Sequence, residues 1–146
     1  MVGVVAAPTI NSLWSAIRGE GAFHNGQKIR ATSQVPLDRA LLGTGFAYDV
    51  ADRQEQIAMV AALLPRTRDI RRMGSAAVDL CHVGMGALDG YFERGLKEWD
   101  WAAGALVATE AGALVAHLGD GPRKLTVAGG PGLFQTLQEA LTSVEQ

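Results

Sequence analysis

Glu93-Arg94-Gly95-Leu96-Lys97-Glu98-Trp99-Asp100-Trp101-Ala102-Ala103-Gly104, running on to Thr109-Glu110-Ala111-Gly112-Ala113, is the stretch from which the rest of the chain can be read. Asp100 stands between two tryptophans, directly before a run of small apolar residues. Asp is a favoured N-cap, so a helix is expected to open at Asp100, reach about Ala111 and stop at Gly112. A carboxylate between tryptophans is desolvated and needs compensating positive charge. The amides and dipole of its own helix supply part of it, and a bound cation would supply more. Two readings of Asp100 therefore stand together, a plain cap and a cation ligand. Glu93 lies seven residues earlier, across Gly95. A strand end, a turn and a helix start can bring both carboxylates around one pocket; the other reading of Glu93 is an exposed strand terminus.

Upstream, Gly74-Ser75-Ala76-Ala77-Val78-Asp79-Leu80-Cys81 predicts a second helix, capped by Ser75 and running to about Gly84. Asp89 to Arg94 is the strand between them. Both helices are apolar nearly all round, so protein should cover each on more than one side. Their N-termini are expected to face an interior cleft. Further out, Leu41 to Phe46 reads as a strand, and Asp52 as the N-cap of a helix that ends at Pro65. The first thirty residues read as an antiparallel meander: Val2 to Ala7, Leu13 to Ile17, an Asn25-Gly26 turn and Lys28 to Arg30. Val2 to Ala7 is a continuous apolar run, suited to a strand covered on both faces. Downstream, Leu114 to Leu118 and Lys124 to Ala128 flank the turn Gly119-Asp120-Gly121-Pro122. A last helix puts Leu133, Phe134, Leu137, Ala140, Leu141 and Val144 on one face. Strands alternating with helices after residue 40 imply a layered α/β fold, in a single domain over 1–146.

Composition narrows the function. The chain has 146 residues, 48% hydrophobic and 19% charged, with a formal net charge of −2. That is the profile of a globular protein. No Lys/Arg run supplies the footprint of a nucleic-acid binder or a polybasic membrane patch. The longest apolar stretch, Trp101 to Ala108, is too short to span a bilayer, and Met1 to Val5 lacks the pattern of a secretory signal. A cytoplasmic location is expected. Cys81, the one cysteine, excludes an internal disulfide and sits in an apolar run as an inert thiol. His24, His82 and His117 have no metal-ligand spacing. Val127 to Gly132 leads from a strand into a helix, but Pro131 lacks the N–H that a phosphate cradle needs. Arg71-Arg72 reads as a solvated pair, with an anionic ligand or a second subunit as the alternative.

Together these segments resemble the inositol monophosphatase family. Trp99-Asp100 followed by small residues and then Glu110-Ala111-Gly112 is similar to its C-terminal signature. Gly74-Ser75-Ala76-Ala77 is similar to its Gly-Ser/Thr-Ala-Ala segment, and Leu88-Asp89-Gly90-Tyr91-Phe92-Glu93 to the strand before the signature. Gly3 to Pro8 and Ala16 to Gly26 are similar to its middle portion. The resemblance implies the C-terminal portion of a layered αβαβα sandwich of the inositol monophosphatase/sugar phosphatase type. It implies that Asp100 ligates Mg²⁺, that Glu93 binds a substrate hydroxyl, and that Gly74, Ser75 and Ala76 contact the substrate. The implied reaction is hydrolysis of inositol monophosphate or a similar small phosphomonoester by metal-activated water, in a homodimer. The family's first signature, Asp-Pro-x-Asp-Gly-Thr, has no counterpart here, and no catalytic residue is assigned. The chain therefore reads as truncated, with activity impaired. Alternatives are a non-catalytic fragment acting through subunit association, or a related histidinol-phosphate, fructose-bisphosphate or nucleotide phosphatase.

Overall fold

The computed structural model describes residues 1–145; Gln146, the end of the expected domain, lies outside the described residues. Four strands open the chain: β1 (Val2–Ala7), β2 (Ser12–Ile17), β3 (Gly21–His24) and β4 (Gln27–Lys28). They pair antiparallel in the order β1-β2-β3-β4, the expected meander. Asn25 at φ 48° and Gly26 at φ 80° make the tight turn between β3 and β4.

One expectation fails in this sheet. β1 is not covered on both faces. Gly3 and Val5 are buried, whereas Val2 and Val4 are 66% and 55% exposed. Leu13 and Ile17 of β2, paired with Ala6 and Val2, are exposed beside them. An antiparallel meander commonly packs one face on a core and leaves the other open, and an unbroken apolar run does not reveal which face that is.

The second sheet holds β5 (Leu41–Thr44), β6 (Asp69–Arg71), β7 (Gly90–Arg94), β8 (Leu114–Leu118) and β9 (Leu125–Gly129), in the order β6-β5-β7-β9-β8. β5 runs parallel to β6 and β7, while β9 is antiparallel to β7 and β8. The helices are α1 (Val50–Leu63), α2 (Ala76–Gly84), α3 (Glu98–Glu110) and α4 (Phe134–Thr142). Asp49, not Asp52, caps α1, accepting from the Ala51 N–H at 2.9 Å and the Asp52 N–H at 3.3 Å. Asp52 falls in the first turn instead and pairs with Arg123 at 3.0 Å. Either aspartate satisfies the capping rule, and the chain direction entering the helix selects the earlier one.

The layers are sheet, helices, sheet, helices. Val5, Trp14, Ala16 and Ala22 of the meander pack on Cys81, Leu106 and Val107 of α2 and α3. The other sides of those helices, through Leu80, Val83, Ala105 and Ala108, pack on Tyr91 and Ala128 of the second sheet. Phe92 and Val127, the next residues along those two strands, turn to the opposite face and pack with Met59, Leu63, Leu137 and Leu141 of α1 and α4. This period-2 alternation divides the second sheet between two cores. It also explains why α2 and α3 are apolar nearly all round, as expected: both lie between sheets.

The middle layer is thin because its helices approach through small residues. A Cβ at Gly104 would stand 2.8 Å from Ala77 O and 2.9 Å from Leu80 Cβ, and one at Gly84 would stand 3.2 Å from Ala108 Cα. In an open helix Gly→Ala is favourable by about 1 kcal/mol. Here steric overlap reverses the sign, because overpacking costs about 1–3 kcal/mol. Denaturant unfolding of Gly104→Ala is expected to show a net loss on the order of 1 kcal/mol; a gain in stability would mean that the crossing is slack.

Candidate active site

β7, α2 and α3 deliver their ends to one place. A pocket of about 690 Å³ is lined by Glu93 at the end of β7, by Gly74 to Ala77 at the start of α2, and by Lys97, Trp99 and Asp100 at the start of α3. The two helix N-termini therefore face a shared cleft, as expected. Gly95 at φ 90° turns the chain from β7 into α3, in a region that L side chains rarely adopt.

Asp100 is not the N-cap. α3 begins at Glu98 with Lys97 in the cap position, which puts Asp100 in the third helical position. Its Oδ2 accepts the Lys97 N–H at 2.8 Å, the returning half of a capping box. Lys97 has no side-chain acceptor, so the carboxylate one turn later does the capping. Nor do both tryptophans desolvate it. Trp99 is 83% exposed, and Trp101 packs on His117 with ring centroids 4.0 Å apart. Asp100 is half-buried in the pocket wall.

Glu93 is half-buried too, and Tyr91, two residues earlier on the same strand face, donates its hydroxyl to the Glu93 carboxylate. Burial raises the Glu93 pKa above the usual carboxylate range; Asp100 adds to the rise, while the Tyr91 hydrogen bond and Arg72 oppose it. Gly45, just past β5, leaves the space that the Glu93 carboxylate fills, and a Cβ there would collide with it. The loop after β5 is held by Gln56, which accepts from Ala47 N–H at 2.8 Å and donates to Arg94 O at 3.2 Å. Ser75 caps α2 as expected, its Oγ accepting from Val78 N–H at 3.4 Å. Gly74, Ser75 and Ala76 all line the pocket.

Three further residues contribute, of which the sequence reading reached only Arg72, through the anionic-ligand alternative for Arg71-Arg72. Arg72 lines the pocket, whereas Arg71 turns away to pair with Asp69; both arginines are exposed, as expected, but they meet different surroundings. Asp79 is buried in α2 with its pKa pushed up to about 7, chiefly by burial and then by Glu93, with Arg72 opposing. Gly45 is the third. A lone carboxylate in an apolar helix was the available signal for Asp79; nothing in the sequence separates Gly45 from other glycines.

The remaining candidates stay outside the site. Cys81 is buried and its thiol is pushed up to about 12 by burial, which makes it inert. His24 stacks on Trp14 at 4.9 Å and His82 meets the edge of that ring at 5.6 Å. Among the described residues no three His, Cys, Asp or Glu side chains are grouped to hold a metal. A cation in the pocket would find the Asp100 carboxylate, with Glu93 already bound by Tyr91 and Asp52 paired with Arg123; this donor set suits one position of an octahedral shell, not a cage. No helix among the described residues is long and apolar enough to cross a membrane.

The family model described as the inositol monophosphatase family matches residues 1–143. Inositol-1-monophosphatase SuhB of Mycobacterium tuberculosis is 43% identical over 148 residues, 97% of this chain and 51% of the relative. Nus factor SuhB of Haemophilus influenzae is 48% identical over 115 residues, 78% of this chain and 43% of the relative. Among solved structures, Mycobacterium tuberculosis SuhB superimposes with a TM-score of 0.91 at 42% identity, over 99% of this chain and 59% of that one. Inositol monophosphatase from Anabaena does so with a TM-score of 0.89 at 36% identity, over 98% and 60%. The chain spans about half the length of the curated relatives it matches.

One pocket carboxylate cannot hold a strongly hydrated ion tightly. Calorimetric titration of the 146-residue chain with Mg²⁺ is expected to give a dissociation constant on the order of 1 mM or weaker. Micromolar binding would reveal a ligand cage assembled in some other way.

Proposed function

The chain belongs to the inositol monophosphatase family, and from this premise we propose that it forms the substrate-side wall of a Mg²⁺-dependent phosphomonoesterase acting on inositol monophosphate or a similar polyol phosphate. The observation that carries the reading is the convergence of Glu93, Asp100, Arg72 and the first turn of α2 on one pocket. Each suits a different part of such a substrate. The Glu93 carboxylate accepts a hydrogen bond from a ring hydroxyl, and Tyr91 holds it in place. Arg72 and the amide end of α2 offer positive charge to the phosphate. Asp100, fixed by its bond to the Lys97 N–H, presents carboxylate oxygen as one ligand of a divalent cation. When bound, Mg²⁺ supplies charge neutralisation and a more acidic water.

A second reading has its own support. Among the described residues Asp100 is the pocket carboxylate not tied to another side chain, and relatives of similar identity carry the name Nus factor SuhB. On that reading the chain acts by association rather than catalysis.

Phosphate release from inositol 1-phosphate by the intact protein separates the two. Asp100→Asn keeps an acceptor for the Lys97 N–H but removes the charge, and kcat is expected to fall about a hundredfold or more. Glu93→Gln should act on KM instead, raising it about tenfold. Gly45→Ala, whose methyl group displaces the Glu93 carboxylate, should move KM in the same direction. Full turnover in Asp100→Asn at saturating Mg²⁺ would remove the ligand assignment, and a folded wild-type protein without turnover would select the associative reading.

A further inference from the structure

Asp79 is a charged-type residue in the least suitable place. It is 1% exposed, and its Oδ1 has no hydrogen-bond partner among the described residues. Leaving a buried carboxyl oxygen unpaired costs about 1–3 kcal/mol, so such a group calls for a reason other than stability. Its surroundings supply one. A Cβ at Gly43 of β5 would lie 2.7 Å from Leu88 Cδ1, 3.2 Å from Tyr91 Cδ2 and 3.6 Å from Asp79 Cγ. Asp79 and Tyr91 therefore border one spot under β5, beside Leu88. Tyr91 in turn donates to Glu93, which reaches the pocket. Asp79 and Tyr91 are both buried, and of the three only Glu93 lines the pocket.

Few charges compete with this arrangement. β1, β5 and β9 pack on α2 and carry no ionisable side chain. From β7 come Tyr91 and Glu93, while Arg94 of that strand pairs with Glu55 at 3.2 Å. From α3, Asp100 acts on Tyr91 and Glu93; Glu98 is exposed, and Glu110 binds the Gly19 and Gly21 N–H groups at 3.0 and 3.1 Å. Arg72 is the cation that faces both Asp79 and Glu93.

We propose that Asp79 is a positioning residue for Glu93: its buried carboxyl, seated beside Tyr91 under Gly43 of β5, keeps the Tyr91–Glu93 pair aimed at a substrate hydroxyl. The inference rests on the reading of Glu93 as a substrate ligand. In this arrangement burial favours the proton on the inner carboxyl, while the outer one accepts from Tyr91. Burial pushes the inner group's pKa up to about 7. Below that pH Asp79 is neutral and Glu93 keeps its orientation. Above it a second negative charge appears behind Glu93, and binding of an anionic substrate weakens.

Steady-state kinetics of the intact protein with inositol 1-phosphate between pH 6 and 9 tests this. Wild-type KM should rise with pH, and Asp79→Asn, which has the shape of the neutral form but cannot ionise, should flatten the rise. Asp79→Ala should raise KM about tenfold at pH 6 with a much smaller effect on kcat. Carboxyl ¹³C NMR of the 146-residue chain gives a readout free of activity: Glu93→Gln should lower the Asp79 midpoint by removing its neighbouring charge. An Asp79→Asn profile identical to wild type, or an Asp79 midpoint unmoved by Glu93→Gln, overturns the positioning role. If Glu93→Gln itself leaves KM unchanged, the substrate-ligand reading fails and takes this inference with it; a raised Glu93→Gln KM beside an unmoved Asp79→Ala KM defeats the inference alone.

Discussion

The close crossing of α2 and α3 sets the geometry of everything around it. Both helices lie between two sheets, so each must present small apolar surface on opposite sides. Gly104 against Ala77 and Gly84 against Ala108 let the backbones approach to contact. A bulkier pair would part the helices, and their N-termini would part with them. Those N-termini are the walls of the pocket, so a packing requirement deep in the middle layer becomes a requirement on the width of the site. Gly3 of β1 shows the same economy of space, since a Cβ there would stand 3.1 Å from Ala103 O on the other side of α3.

The site built on this frame grades its carboxylates by depth. Asp100 is at the wall, bound to the backbone of its own helix. Glu93 is half-buried and its pKa is raised, chiefly by burial. Asp79 is buried outright, and its pKa reaches about 7. Burial raises the pKa of both deeper groups and favours their neutral acids. Neighbouring carboxyls in different surroundings can thereby serve different roles. Arg72 tempers the two deeper members and is also the cation that an anionic ligand would meet at the pocket.

Several elements were legible because a local rule determined them. Asn25-Gly26 permits the positive φ angles of a hairpin, Ser75 caps the helix that follows it, and the apolar character of residues 76–84 signalled cover on two sides. The readings that failed did so where two residues satisfied one rule. Asp49 and Asp52 are both good N-caps, and the first is used. Asp100 has the right chemistry to cap α3, but it caps from the third helical position. In β1 the alternation of buried and exposed positions was hidden, because both faces carry small apolar residues.

Local chemistry therefore establishes which segments become strands and helices, and the Trp-Asp and Gly-Ser-Ala-Ala motifs announce the family to which the chain belongs. These properties travel with a few adjacent residues and need no knowledge of what lies across the molecule. The composition of the pocket is of another kind. Arg72 and Asp79 are seven positions apart and Gly45 is forty-eight residues before Glu93, yet each of the other three acts on Glu93 or on its partner. Their meeting follows from the parallel pairing of β5 with β7 and from the packing of α2 over that pair. Pairing register and helix placement are long-range contacts, and a carboxylate acquires its pKa from the surroundings those contacts create. No reading of neighbours along the chain contains that environment.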